Sequence, residues 1–155
     1  MSVDSNVIEN MPQKIQQILT SIGYRNDSGM DCSEVAELLK NKLGVGRLCT
    51  IRAFERTTAP KARGLTFQVL EQSGLSEPYV YHTVLWYEHH ATVYIIDGTS
   101  KYTVRTLEQF VQDLKRYNAG TYNGRVPMFV FYKGIVDDVF TRDMTAYKDA
   151  RLYRV

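Results

Sequence analysis

The sequence predicts an α+β domain, an antiparallel sheet with its helices against one side. Three observations lead there. Apolar residues recur at helical spacing up to Gly44, the period changes to two between residues 47 and 97, and one more helix and one more strand follow. The order is therefore αα, ββββ, α, β. No internal repeat, low-complexity stretch or domain boundary interrupts it, so residues 1–155 read as a single domain. That length suffices to enclose one core.

The elements follow from local signals. Residues 1–10 read as a flexible tail, and Pro12 as the first turn of a helix. Ile15, Ile18, Leu19 and Ile22 give that helix one apolar stripe, which Gly23 ends. Residues 24–30, YRNDSGM, read as a polar loop. Asp31 is then a side-chain cap, with Glu34 in the capping-box position. Cys32, Val35, Ala36, Leu39 and Leu43 share the face of this second helix, and Gly44 stops it.

Residues 48–54 and 65–70 read as strands, separated by a polar loop containing Pro60 and Gly64. A linker, QSGLSEP, leads to YVYHTVLWY (79–87) and ATVYIID (91–97), the clearest strand pair in the chain. Thr106 with Gln109 opens another helix, striped by Leu107, Phe110, Val111, Leu114 and Tyr117 and ended by Asn118–Gly120. VPMFVFY (126–132) is a late strand. DMTAYKDARLY (143–153) reads as a short, weakly striped helix.

Composition narrows the classes of function. Hydrophobic residues make up 44% and charged residues 23%, the balance of a soluble globular chain. A net charge of +2 argues against a dedicated nucleic-acid binder, although Lys61, Arg63, Lys115, Arg116 and Lys133 leave a local basic patch open. No apolar run approaches the ~20 residues that span a bilayer, and MSVDSNVIEN has no signal-peptide pattern. The expectation is a protein without a membrane partner. GxxxxGK[ST] and GxGxxG are absent, and no CxxC or HExxH spacing occurs, so neither cofactor nor metal is expected. His89 and His90 read as exposed turn residues pointing to opposite faces.

Chemistry concentrates around one hairpin and one helix start. If the hairpin turns at His89-His90, or through Glu88–Ala91, Trp86 opposes Val93, Val84 opposes Ile95 and His82 opposes Asp97. Directly opposed side chains share a face with Cβ atoms ~4.5–5.5 Å apart. A carboxylate beside an imidazole fixes its tautomer and stabilises the imidazolium, which is what a nucleophile requires of its base. Cys32, in the first turn of a helix, is the matching nucleophile. Helix N-termini and a neighbouring imidazolium favour thiolates, and the free first-turn amides suit an oxyanion. Two cysteines make no disulfide framework, and Cys49, inside an alternating strand, reads as packing.

The order of Cys on a helix, then His and an acid on antiparallel strands, resembles the papain-like cysteine hydrolase superfamily. In particular it resembles the papain-fold toxin domains of bacterial polymorphic toxins. DCSEVAELLKNKLGVG, YHTVLWYEHHATVYIIDGTS and TLEQFVQDLKRYN carry the likeness, between residues 31 and 118. The resemblance implies a papain-like fold and a cysteine amidohydrolase, a glutamine deamidase or protease. Cys32 would be nucleophile, His82 general base and acid, Asp97 the orienting group and Asn26 an oxyanion-hole amide. It also implies an effector acting in the cytoplasm of a target cell, on a protein substrate, with a cognate immunity protein as partner. The C-G-[SA]-C-[WY] signature of papain proteases is absent, which argues against ordinary endopeptidase activity. The run Asp31-Cys32-Ser33-Glu34-Val35 also resembles the D-C-S-G-[FL]-V motif of NlpC-type peptidoglycan hydrolases, with Glu34 in place of the Gly. An RNA-directed toxin that leaves the thiol unused is the remaining alternative.

Overall fold

The computed structural model describes residues 3–25, 29–56, 64–120, 125–134 and 151–155. They form an α+β fold of three helices and nine strands, α1 (Val3–Ser21), α2 (Cys32–Leu43), β1 (Arg47–Phe54), β2 (Gly64–Leu65), β3 (Leu70–Glu71), β4 (Gly74–Leu75), β5 (His82–His89), β6 (Thr92–Ile96), β7 (Val104–Thr106), α3 (Leu107–Tyr117), β8 (Met128–Lys133) and β9 (Arg151–Arg154). The main sheet runs β7-β6-β5-β1-β8-β9, with β2 beside the far end of β1, and every described pairing is antiparallel.

The helices lie on both faces of the sheet rather than on one. Met11, Ile15 and Leu19 of α1 and Val35, Ala36 and Leu39 of α2 close a core against Leu85 and Ile96. Phe110, Val111 and Leu114 of α3 pack on the opposite face with Cys49, Ile51, Val84, Trp86, Ile95, Phe129 and Phe131. The two cores follow from alternation along the strands, since Val84 and Trp86 point one way and Leu85 the other. A sheet with both faces apolar needs a helix on each.

Local capping signals place α2 and α3. Asp31 caps α2 by accepting from the Glu34 amide at 2.9 Å, and Gly44 ends it in the left-handed conformation, φ 71°. Thr106 and Gln109 form the complete capping box on α3. The N-terminal expectation is corrected. α1 begins at Val3, so most of the supposed tail is helical and Pro12 lies inside the helix. Proline there removes one helical hydrogen bond, and the buried Met11, Ile15 and Leu19 hold the helix across it.

Residues 65–70 do not make one strand. Asn118, fully buried at the end of α3, accepts from the Gln68 amide at 2.8 Å and donates to the Gln68 carbonyl at 3.0 Å. With its backbone groups taken by a side chain, Gln68 has none left for a ladder, and between β2 and β3 Phe67 makes an isolated bridge to Tyr79. The supposed linker contains β4, which pairs with β3 in a small separate hairpin. β7 was not expected. Of the expected C-terminal helix, residues 143–150 lie outside the described residues, and 151–153 belong instead to β9, paired with β8.

Candidate active site

The β5–β6 hairpin turns at His90 and Ala91, whose φ values of 48° and 63° are those of a two-residue turn twisted to match its strands. Leu85 consequently pairs with Ile96 and Trp86 with Ile95. The expected register is thus corrected by two residues. A shift of two preserves the face of every side chain, where a shift of one would have inverted it. The positive φ at His90 also turns its ring back onto His89, 4.3 Å between centroids, so the two rings meet instead of facing apart.

His82 opens β5, and Asp97 follows the last residue of β6, at the same end of the sheet. Diagonal neighbours on a sheet remain within reach of long side chains. His82 Nε2 and Asp97 Oδ2 meet at 2.7 Å, both side chains buried. The second oxygen of Asp97 accepts from the amide of Thr99 at 3.1 Å and from its hydroxyl at 2.7 Å. The carboxylate is therefore held through both of its oxygens.

Cys32 comes from the other face. α2 packs on the sheet so that its first residue, half-buried, stands at the end where β5 begins. The backbone N–H of Thr83 donates to Cys32 Sγ at 3.4 Å. Asp31, whose charge opposes a neighbouring thiolate, has its carboxylate turned into the helix cap. Its Oδ1 accepts from Ser33 Oγ at 2.7 Å as well as from the Glu34 amide.

Gly98 makes the approach between the two faces feasible. A Cβ at that position would lie 2.7 Å from both Leu39 Cδ1 and Val35 Cγ1, inside van der Waals contact. The missing side chain lets the loop carrying Asp97 sit directly on the helix carrying Cys32.

The charges of the pair are set by opposing effects. Burial disfavours an imidazolium at His82, but the Asp97 charge, its hydrogen bond and the nearby Cys32 thiol outweigh burial and push the pKa up to about 10. Burial likewise works against the Asp97 anion, and His82, the Thr99 hydroxyl and the Arg105 charge hold its carboxyl below the usual range. The stable form near neutrality is imidazolium beside carboxylate. His82 Nδ1 is buried with no hydrogen-bond partner among the described residues. With Nε2 engaged by Asp97, Nδ1 is the nitrogen left to exchange a proton with a thiol.

A cleft of about 360 Å³ opens onto this group, and Tyr24, Met30, Cys32, Glu71, Tyr79 and His82 are in its lining. Tyr79 donates to Glu71 Oε2 at 3.2 Å. Burial, with neighbouring negative charges, pushes both Tyr24 and Tyr79 up to about 12, so their hydroxyls stay protonated and able to donate.

Cys32, His82 and Asp97 are thus brought together. Asn26 lies outside the described residues. Cys49 is fully buried on β1, where burial pushes its thiol pKa up, and the two cysteines form no disulfide. Sequence reasoning missed Thr99, Arg105, Tyr24, Glu71 and Tyr79. The run Asp97-Gly98-Thr99-Ser100 carried a local signal for Thr99, because Asp side chains accept from backbone two residues on. The other four are assembled by distant segments. Among the described residues no three His, Cys, Asp or Glu side chains cluster as metal ligands do, and no helix is long and apolar enough to cross a membrane. In comparisons with known proteins, the chain matches no family model and no curated sequence.

Proposed function

We propose that the protein is a cysteine amidohydrolase with Cys32 as nucleophile, His82 as proton carrier and Asp97 as orienting group. The observation that carries this reading is the open-ended relay at the cleft. Asp97 grips Nε2 of a buried His82, whose Nδ1 has no other hydrogen-bond partner among the described residues, and the thiol of Cys32 lies beside the ring at a helix start.

The chemistry runs in two halves. Cys32 reacts as the thiolate of an ion pair whose proton rests on His82, and its sulfur attacks the carbonyl carbon of a carboxamide. The backbone N–H groups of Cys32 and Ser33, which precede the capped Glu34 amide at the start of α2, would supply the donors for the oxyanion. The imidazolium protonates the departing nitrogen, ammonia or an amine leaves, and a thioester remains on Cys32. Water, deprotonated by His82, then attacks the thioester, and the acid product departs as the thiol is restored. Asp97 holds the ring in place through both transfers.

The resemblance to papain-fold toxin domains supports an effector that deamidates or cleaves a protein of a target cell, and an immunity protein that covers the cleft. Its test is incubation of the protein with target-cell lysate, followed by peptide mass spectrometry. Glutamine-to-glutamate conversion or one discrete cleavage, lost in Cys32→Ala and kept in Cys49→Ala, is the expected result. Release of muropeptides from purified sacculi would replace it with the cell-wall reading. Toxicity that survives Cys32→Ala, with RNA degraded, would replace it with the nuclease reading.

A further inference from the structure

Arg105 is the one buried arginine or lysine among the described residues, its charge acts on Asp97, and nothing in the two-step chemistry uses it. It sits on β7, only 8% exposed, between Asp113 and Ser100. One guanidinium nitrogen donates to Asp113 Oδ2 of α3 at 2.9 Å, and the other donates to Ser100 Oγ at 3.2 Å. The guanidinium carbon lies 4.7 Å from the centroid of the Phe110 ring. Ser100 in turn donates its backbone N–H to the Asp97 carbonyl at 3.2 Å. A chain of contacts therefore runs from α3 through Arg105 to the loop that presents the carboxylate.

Stability alone is a poor account of this residue. Its Nε is buried without a hydrogen-bond partner among the described residues, a cost that a well-packed apolar side chain would not carry. A positive charge here does something an apolar residue cannot, because it favours every negative group in the site.

Resting on the proposed cysteine chemistry, we propose that Arg105 is a positioning residue for the site, clamping the Asp97–Ser100 loop and supplying the fixed positive charge behind it. The groups acting on Asp97 come from several elements. They are His82 of β5, Thr99 of its own loop and Arg105 of β7, with Tyr24 after α1 and Cys32 of α2 at the cleft and Asp113 of α3 offsetting Arg105. The α1 and α2 side chains against Gly98 are apolar, Leu19, Val35 and Leu39. Arg105 is thus the cation whose removal leaves the other charges in place.

The test is the rate of Cys32 alkylation by iodoacetamide as a function of pH in the full-length protein, a property of the coupled group rather than of the sulfur alone. Arg105→Met, which can lie along Phe110, should move the half-maximal rate to higher pH by about one unit. Asp113→Asn keeps an acceptor for Arg105 but removes the opposing charge, and should move it the other way. Arg105→Lys, keeping charge without the fork, should stay near the native midpoint.

A midpoint unmoved in a folded Arg105→Met protein, or the two neutralising variants moving the same way, overturns the proposal. If Arg105→Met does not fold, the direction of the Asp113→Asn shift decides it. Native protein alkylating no faster than its denatured form at pH 6 would instead remove the cysteine chemistry itself, and Arg105 with it.

Discussion

His82 and Asp97 share a 2.7 Å hydrogen bond although no backbone pairing sets them opposite each other. The bond is diagonal, made where β5 starts and just past the point where β6 stops. Thr99 supplies the restraint that a directly paired strand position would otherwise give. Because Nε2 is spent on this bond, Nδ1 is the ring nitrogen left without a hydrogen-bond partner among the described residues.

The two thiols should accordingly behave as opposites. In native protein at about pH 6, iodoacetamide should label Cys32 within minutes and leave Cys49 untouched, since Cys49 is fully enclosed. His82→Ala should remove the rapid phase. Peptide mapping after timed quenching reads both sites, and equal labelling of the two cysteines would refute the distinction.

The pair also predicts a pH-dependent stability. His82 has its pKa raised from 6.5 to about 10 on folding, so its contribution is complete below about 6.5 and is lost as pH rises through about 10. Asp97 is lowered from 3.8, so its contribution is present above that value and is lost as pH falls through the lower, folded one. Native protein should exceed Asp97→Asn by about 2 kcal/mol between roughly pH 4 and 6.5, with the gap narrowing toward both extremes. Urea unfolding from pH 3 to 10 measures it, and a gap constant with pH would contradict the assignment of charges.

Gly98→Ala tests the close approach that joins the two faces. The added methyl would collide with Leu39 and Val35, at a cost of about 1–3 kcal/mol. Because the collision pushes the Asp97 loop away from α2, rapid Cys32 labelling should fall as well. Val35→Ala in the same chain removes one of the two obstacles, so the double variant should lose less stability than the sum of the single losses. Strict additivity would show that the two residues do not meet.

What the sequence disclosed divides along local and distant causes. Both capped helices, α2 and α3, were legible because Asp31, Thr106, Gln109 and Gly44 act on backbone within four residues of themselves. The hairpin was legible, but its turn was not. His90 and Ala91 adopt positive φ in place of the Asn-Gly or Asp-Gly pair that announces such a turn, so the register came out two residues off. The face survived because side chains alternate with period two, and the His82–Asp97 meeting survived with it. Gln68 lost its place in a strand to Asn118, fifty residues away, and no local pattern announces such a partner. Arg105 was hidden for another reason: its partners are only five and eight residues away, but they lie on a loop and a helix that no single strand or helix period links to β7. Pro12 misled because proline commonly starts helices, while here three buried side chains carry the helix past it.

Asp31 separates capping from charge at the mouth of the cleft. Its Oδ1 accepts from the Glu34 amide and the Ser33 hydroxyl, and the same carboxylate puts a negative charge one residue before Cys32. Asparagine caps helices about as well as aspartate, so Asp31→Asn should unfold within a few tenths of a kcal/mol of native, whereas Asp31→Ala should lose about 1 kcal/mol. Removing the charge while keeping the cap leaves the thiolate with one repulsive neighbour fewer, so Asp31→Asn should label with iodoacetamide faster than native at pH 6. Asp31→Ala gains the same electrostatic relief but frays the turn that holds the sulfur, and its labelling should fall below that of Asp31→Asn. Thermal unfolding and timed labelling of the two variants read the two effects separately. Identical labelling rates for native, Asp31→Asn and Asp31→Ala would mean that neither the cap nor its charge governs the sulfur.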